Sequence, residues 1–208
     1  MTIQHSAIPD GQRHEPKGVS SATDKQVYIA NGSASGTWRK LNDLDMDYST
    51  KANNLFGWND ISDSLYTSGS PRAITATTRT LLTNNAAASQ TDTSRLGALW
   101  NTGTSAFTIN DLNASYILRV TCKITAAAAA STPYITLFEL ESANGPTTIV
   151  GQTQFIKGGG NINQMAVALP FYSGSFINNQ ALKIYVTPDT AINLYDIGFF
   201  LQRNYKES

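Results

Sequence analysis

Alternation of apolar and polar residues dominates the chain from residue 61 onward, at the period of two that puts successive side chains on opposite faces of a strand. The clearest run is 116–125, YILRVTCKIT, where Tyr116, Leu118, Val120, Cys122 and Ile124 fall on one face and Arg119, Thr121 and Lys123 on the other. It predicts a strand with one face in a core and one exposed. Further strand-like runs lie at 61–67, 73–83 (the Thr-rich AITATTRTLLT), 134–140, 147–156, 162–169, 182–186 and 192–202. Shorter runs at 96–100 and 106–109 bracket an irregular excursion at Asn101-Thr102-Gly103. Turn residues separate the runs: Ser68-Gly69-Ser70-Pro71, Asn144-Gly145-Pro146, Gly158-Gly159-Gly160, Ser173-Gly174, Asn178-Asn179 and Pro188-Asp189, with 84–94 reading as a small, polar loop. Five alanines at 126–130 are too few to hold a helix alone and predict a loop or a tight crossing over a neighbouring chain. About eight strands with turns every 8 to 12 residues or so predict an all-β antiparallel sandwich, most simply a jelly roll.

Before residue 57 the pattern changes. In 14–41, HEPKGVSSATDKQVYIANGSASGTWRKL, two strand-like bursts, Val27-Tyr28-Ile29 and Thr37-Trp38-Arg39, flank the turn signal Asn31-Gly32. Pro16 holds Glu15 extended and Gly18 permits a sharp turn ahead of them. The stretch offers little apolar surface to bury on itself, since a segment below roughly 40 residues usually needs outside help to fold. Yet Val27, Tyr28, Ile29, Trp38 and Leu41 are residues that need a cover. The expectation is an extended N-terminal docking arm, residues 1–56, ahead of a jelly-roll domain, residues 57–208. The sequence 51–60, KANNLFGWND, reads as the boundary, with Leu55, Phe56 and Trp58 seating the arm on the domain edge.

Composition narrows the partners. Only 14% of the 208 residues are charged, so Ser, Thr, Asn and Gln must build the polar surface, a habit of extracellular β-proteins and virion parts. Net charge is zero, and residues 1–56 balance by themselves, with Arg13, Lys17, Lys25, Arg39, Lys40 and Lys51 against Asp10, Glu15, Asp24, Asp43, Asp45 and Asp47. No basic face emerges, which argues against nucleic acid. No run of about 18 apolar residues suggests a membrane span, and the N-terminus lacks the charged and apolar regions of a Sec-type leader. Cys122 is the single cysteine and is expected to be a small buried hydrophobe.

Catalytic constellations are thin. Both histidines, His5 and His14, lie in the arm, so a Ser-His-Asp site within the domain has no histidine to use. Asp43, Asp45 and Asp47 open like a calcium loop, but the sixth and twelfth positions are Tyr48 and Asn54 where Gly and Glu belong. Glu139 and Glu141 share one strand face at a spacing of roughly 7 Å, within the range of glycosidase carboxylates. Leu140 between them points to the core, which makes them a solvated or inter-subunit pair. Gly158 to Gly160 is not followed by a helix or a Lys-Ser/Thr and so is no phosphate cradle. The expectation is a protein that is not an enzyme and holds neither metal nor cofactor. In 197–201, IGFFL, both faces are apolar and both need a cover, one from the opposing sheet and one from a neighbouring subunit. Tyr134, Phe138, Tyr195 and Phe199 are the residues expected at that subunit interface.

Residues 171–205, with Gly174, Asn178, Tyr195, Asp196, Arg203 and Tyr205, resemble the closing strands of tumour-necrosis-factor-like jelly rolls found in tailed-phage virion proteins. HEPKGV followed by VYIANGSASGTW is similar to the N-terminal segment of phage head-fibre and capsid-decoration (cement) proteins. The two regions cover about 60 residues, and between them only the strand rhythm is similar. The resemblance implies a homotrimer on the capsid exterior. On that reading, His14, Pro16, Val27, Tyr28, Ile29, Trp38 and Leu41 bind the major capsid protein by strand addition. The alternative from the same sequence is a tail-fibre or receptor-binding protein whose jelly roll takes a host-surface glycan.

Overall fold

A computed structural model describes residues 26–30, 36–40, 56–92, 96–144 and 147–206. The chain divides into two compact units, residues 1–52 and residues 53–208. In the first, β1 (Gln26–Ala30) pairs antiparallel with β2 (Gly36–Lys40), with Tyr28 opposite Trp38 and Val27 opposite Arg39. Both strand-like bursts expected in the arm are therefore strands, and they pair with each other.

The second unit is all-β among its described residues. Its strands are β3 (Gly57–Ser62), β4 (Arg72–Ile74), β5 (Thr80–Leu81), β6 (Ala88–Thr91), β7 (Trp100–Asn101) and β8 (Ala106–Ile109), then the long β9 (Ala114–Ala126), β10 (Pro133–Ser142), β11 (Thr147–Lys157), β12 (Asn163–Ser173), β13 (Gln180–Pro188) and β14 (Ile192–Lys206). One sheet runs β11-β10-β13-β8-β7 with β5 beside β13; the other runs β12-β9-β14-β3-β6 with β4 beside β14. Every pairing is antiparallel. From β9 the chain crosses to β10, turns back as β11, crosses to β12, then β13, then β14. That alternation between sheets is the jelly-roll connectivity.

The alternation in sequence becomes the core. Tyr116, Leu118, Val120, Cys122 and Ile124 of β9 point inward, as do Phe138 and Leu140 of β10, Val167 and Leu169 of β12, and Ile197, Phe199 and Leu201 of β14. Trp100, Phe107 and Phe199 pack ring on ring, with centroids 4.8 to 6.2 Å apart and tilted or edge-on planes, the arrangement that the ring quadrupoles favour.

Several boundaries differ from expectation, each for a local reason. The run 73–83 is two short strands, because a turn with Thr77 at φ 56° divides β4 from β5. The expected loop 84–94 contains β6, a polar edge strand paired with β3. Two buried asparagines hold this region down. The Asn59 amide donates to Gly97 O at 2.9 Å and accepts from Leu99 N at 3.0 Å. Asn84 donates to Ile197 O at 3.2 Å and accepts from Ala86 N at 2.8 Å. They satisfy backbone groups that a buried loop would otherwise orphan. In β14 the register shifts between Tyr195 and Gly198, with Asp196 at φ 52° and its N–H donating to Tyr66 O at 2.9 Å. The bulge moves the inward phase from Leu194 to Ile197. The alanine run is a loop that lies against the glycine turn of its own chain, since Gly160 N donates to Ala126 O at 2.9 Å and Gly159 N to Ala128 O at 2.5 Å.

Candidate interaction surfaces

In the paired arm segment, the Tyr28 and Trp38 rings meet edge-on, with centroids 5.3 Å apart at 62°. Direct opposition in an antiparallel pair places them on one face, while Val27 and Arg39 share the other. Val27, Tyr28 and Trp38 are half-buried, and Ile29 stands opposite Thr37 in the register. The Trp38 indole N–H is buried and has no acceptor among the described residues. His14, Pro16 and Leu41, and the carboxylates Asp43, Asp45 and Asp47, lie outside the described residues. Phe56 is 48% exposed, and Trp58 stacks on Phe200 of β14 with centroids 6.2 Å apart at 18°.

The aromatics expected at a subunit interface are placed otherwise. Phe138 and Phe199 are 0% exposed and Tyr195 is 5% exposed, all inside the protomer, while Tyr134 is half-buried against the same core. Inward phase on β10 and β14 spends Phe138 and Phe199 in the sandwich core, and Tyr195, opposite Lys123 in the register, is buried outside that core cluster, so none of the three offers a surface to a second subunit. Of the run 197–201, the outward ring is Phe200, and it is partly covered by Trp58.

Glu139 and Glu141 are tied to one cation. Arg79 Nε donates to Glu139 at 3.0 Å, and Arg79 Nη2 lies 2.7 Å from Glu141. The guanidinium lies 3.7 Å from the ring centroid of Tyr185, and Thr148 Oγ1 donates to Glu139 at 3.0 Å. Burial pulls the Arg79 pKa down, but hydrogen bonds and charge from the two glutamates outweigh it and raise it above its ordinary value. This cluster fastens the segment before β5 onto the face of β10. Elsewhere, burial pushes the Cys122 thiol up to about 12, as befits a small core hydrophobe. Among the described residues no group of three His, Cys, Asp or Glu side chains could hold a metal ion. A shallow cleft of about 300 Å³ lies between Ser62, Asp63, Thr121 and Asp196. Its carboxylates are occupied, because Asp63 caps Tyr66 N and Asn85 N, and Asp196 pairs with Lys123 at 2.9 Å.

A polar cluster that sequence reasoning missed joins the last strand to the turn before β9. Asp111 accepts from Tyr116 Oη at 2.8 Å, from Lys206 Nζ at 2.7 Å, and from Arg203 in a close ion pair. Arg203 also donates to Phe56 O at 3.2 Å. Burial pushes the Asp111 carboxyl up, but hydrogen bonds from Lys206, Tyr116 and Arg203 and the guanidinium charge prevail and hold it below its ordinary value. Burial and the neighbouring carboxylate push the Tyr116 phenol up. A signal was present: Arg203 falls in phase with Ile197, Phe199 and Leu201, so an inward arginine required a buried acid.

The outer face of the β12-β9-β14-β3-β6 sheet has an apolar middle. On β12, Ala166, Ala168, Pro170 and Tyr172 point outward while Met165, Val167, Leu169 and Phe171 point inward, so this strand is apolar on both sides. Cross-strand registers align Pro170, Ile117, Gln202 and Trp58 in one row and Ala168, Arg119, Phe200 and Asp60 in the next.

No protein-family model matches this sequence, and no curated protein matches it either. Solved structures are similar in fold at low identity. The Eiger TNF of S. frugiperda is 10% identical over 74% of this chain and 95% of that one, with a TM-score of 0.44. The PRD1 vertex protein P5 is 8% identical over 89% and 84%, with a TM-score of 0.42. The VP2 subviral particle of infectious bursal disease virus is 11% identical over 85% and 37%, with a TM-score of 0.35.

Proposed function

We propose that this chain is a structural virion protein that decorates and stabilises a phage capsid as a homotrimer, anchored to the major capsid protein by its N-terminal arm. The observation that carries this reading is the arm's strand pair. It holds a Tyr28–Trp38 edge contact and a buried indole N–H with no acceptor among the described residues, in a unit distinct from the sandwich. Two short strands alone are marginally stable in water, and they gain from a third strand or an apolar groove that takes the aromatic pair. The resemblance of 14–41 to capsid-decoration proteins points the same way. A protein that binds only the expanded shell stabilises that shell by mass action. The jelly roll serves as the outward body.

The test is co-sedimentation with expanded phage heads that lack this chain. Deleting residues 1–41 is expected to abolish binding. Trp38→Phe, which keeps the ring and removes the N–H, is expected to weaken it by about tenfold if the indole donates to the shell. Unchanged binding of the deletion variant, together with glycan-array signals from residues 57–208, would support the alternative, a receptor-binding jelly roll.

A further inference from the structure

We infer that copies of this chain associate through the outer face of the β12-β9-β14-β3-β6 sheet, with Arg119 of one copy pairing with Asp60 of the next across Phe200. This rests on the homotrimer reading above and names its surface. Three observations lead there. First, β12 carries apolar or small residues on both sides, Ala166, Ala168 and Pro170 outward, and a strand of that kind is one buried on both faces. Second, the neighbouring rows add Ile117 and the stacked Trp58 and Phe200 to the same surface. The result is a largely apolar relief, interrupted by Gln202 between Ile117 and Trp58, with no deep pocket for a small ligand.

Third, the charges on this face distinguish a second copy from any other cover. Lys123 is already paired with Asp196 at 2.9 Å. Arg119 and Asp60 are exposed and make no ion pair among the described residues. They flank Phe200 in a single row, Arg119 on β9 and Asp60 on β3, two strand spacings or roughly 10 Å apart. Phe200 stands between them. The face is therefore positive on one side of its aromatic centre and negative on the other. A uniformly charged partner would satisfy one side and oppose the other, whereas two neighbouring copies supply both complements, one offering Asp60 to Arg119 and the other offering Arg119 to Asp60. Joining the Arg119 side of one copy to the Asp60 side of the next is a head-to-tail contact, the kind that closes into a ring when the rotation allows.

The experiment is sedimentation equilibrium on the full chain, with circular dichroism to verify folding, comparing wild type, Arg119→Asp, Asp60→Arg and the double exchange. Both positions are exposed, so the variants keep the core. Each single variant is expected to weaken association by about 10- to 100-fold, and the double exchange to restore it to within about threefold. Folded single variants that associate like wild type would overturn the face while leaving the trimer reading intact, as would a double exchange that fails to recover. A wild type that is monomeric at tens of micromolar, about the range of weak complexes, would overturn both. Rescue in a dimer would keep the face and overturn the trimer.

Discussion

Asp111 is the residue on which most of the buried charge depends. Its carboxylate receives Arg203, Lys206 and Tyr116, and the Arg203 side chain is only 3% exposed. Asp111→Asn takes a counter-charge away from that buried guanidinium, at an expected cost of about 3 kcal/mol, measured by urea unfolding at pH 7. The pH dependence follows from the depressed pKa. A carboxyl lowered by folding adds stability above its unfolded value, near 3.8, and loses it as pH falls through the lower native value. The gap between wild type and Asp111→Asn is expected to be constant near neutrality and to shrink only below that ordinary value. Asn59 and Asn84 act on the same principle without charge, each a buried side chain closing a backbone donor and a backbone acceptor.

At the scale of elements, the contact between the alanine loop and the β11–β12 turn is the tightest. A Cβ on Gly158 would stand 2.2 Å from Ala128 O and 2.6 Å from Ala129 O, both backbone atoms that cannot rotate away. One on Gly160 would meet nothing within 4 Å and would face only the strain of φ +72°. Gly158→Ala is therefore expected to cost at least about 2 kcal/mol by forcing the loop off the turn, and Gly160→Ala about 1 kcal/mol. Thermal unfolding of the two variants side by side measures the difference. Element boundaries show what local pattern conveys. The phase of β9 was readable because five inward apolar residues alternate with polar ones. By contrast, β6 is polar and almost wholly exposed, so it leaves no period in the sequence and exists only because β3 offers an edge. The break between β4 and β5 was hidden for a related reason, since Thr77 takes a positive φ where the residue type favours strand.

For the whole molecule, the core is contained in residues 53–208. Removing residues 1–52 is expected to leave the stability of the sandwich within about 1 kcal/mol, or about 2–4 °C in Tm, by scanning calorimetry. A larger drop would mean that the arm contributes to the fold as well as to adhesion. Aromatic residues in the second half illustrate how far sequence phase reaches. It set Phe199 and Phe200 on opposite faces, but both faces were apolar, and only the opposing sheet determined that Phe199 is the inner one.

The sequence alone determined the fold class and the phase of β9. Each depends on residues within one or two turns or strands of each other. Tertiary structure alone decided which charges meet. Arg203 finds Asp111 92 positions away, Arg79 takes both glutamates 60 or more positions on, and Arg119 and Asp60 are left facing outward in one row. Alternation is a local property of a chain, whereas pairing and register arise only when two sheets fold over one core, and no period in the sequence encodes that closure.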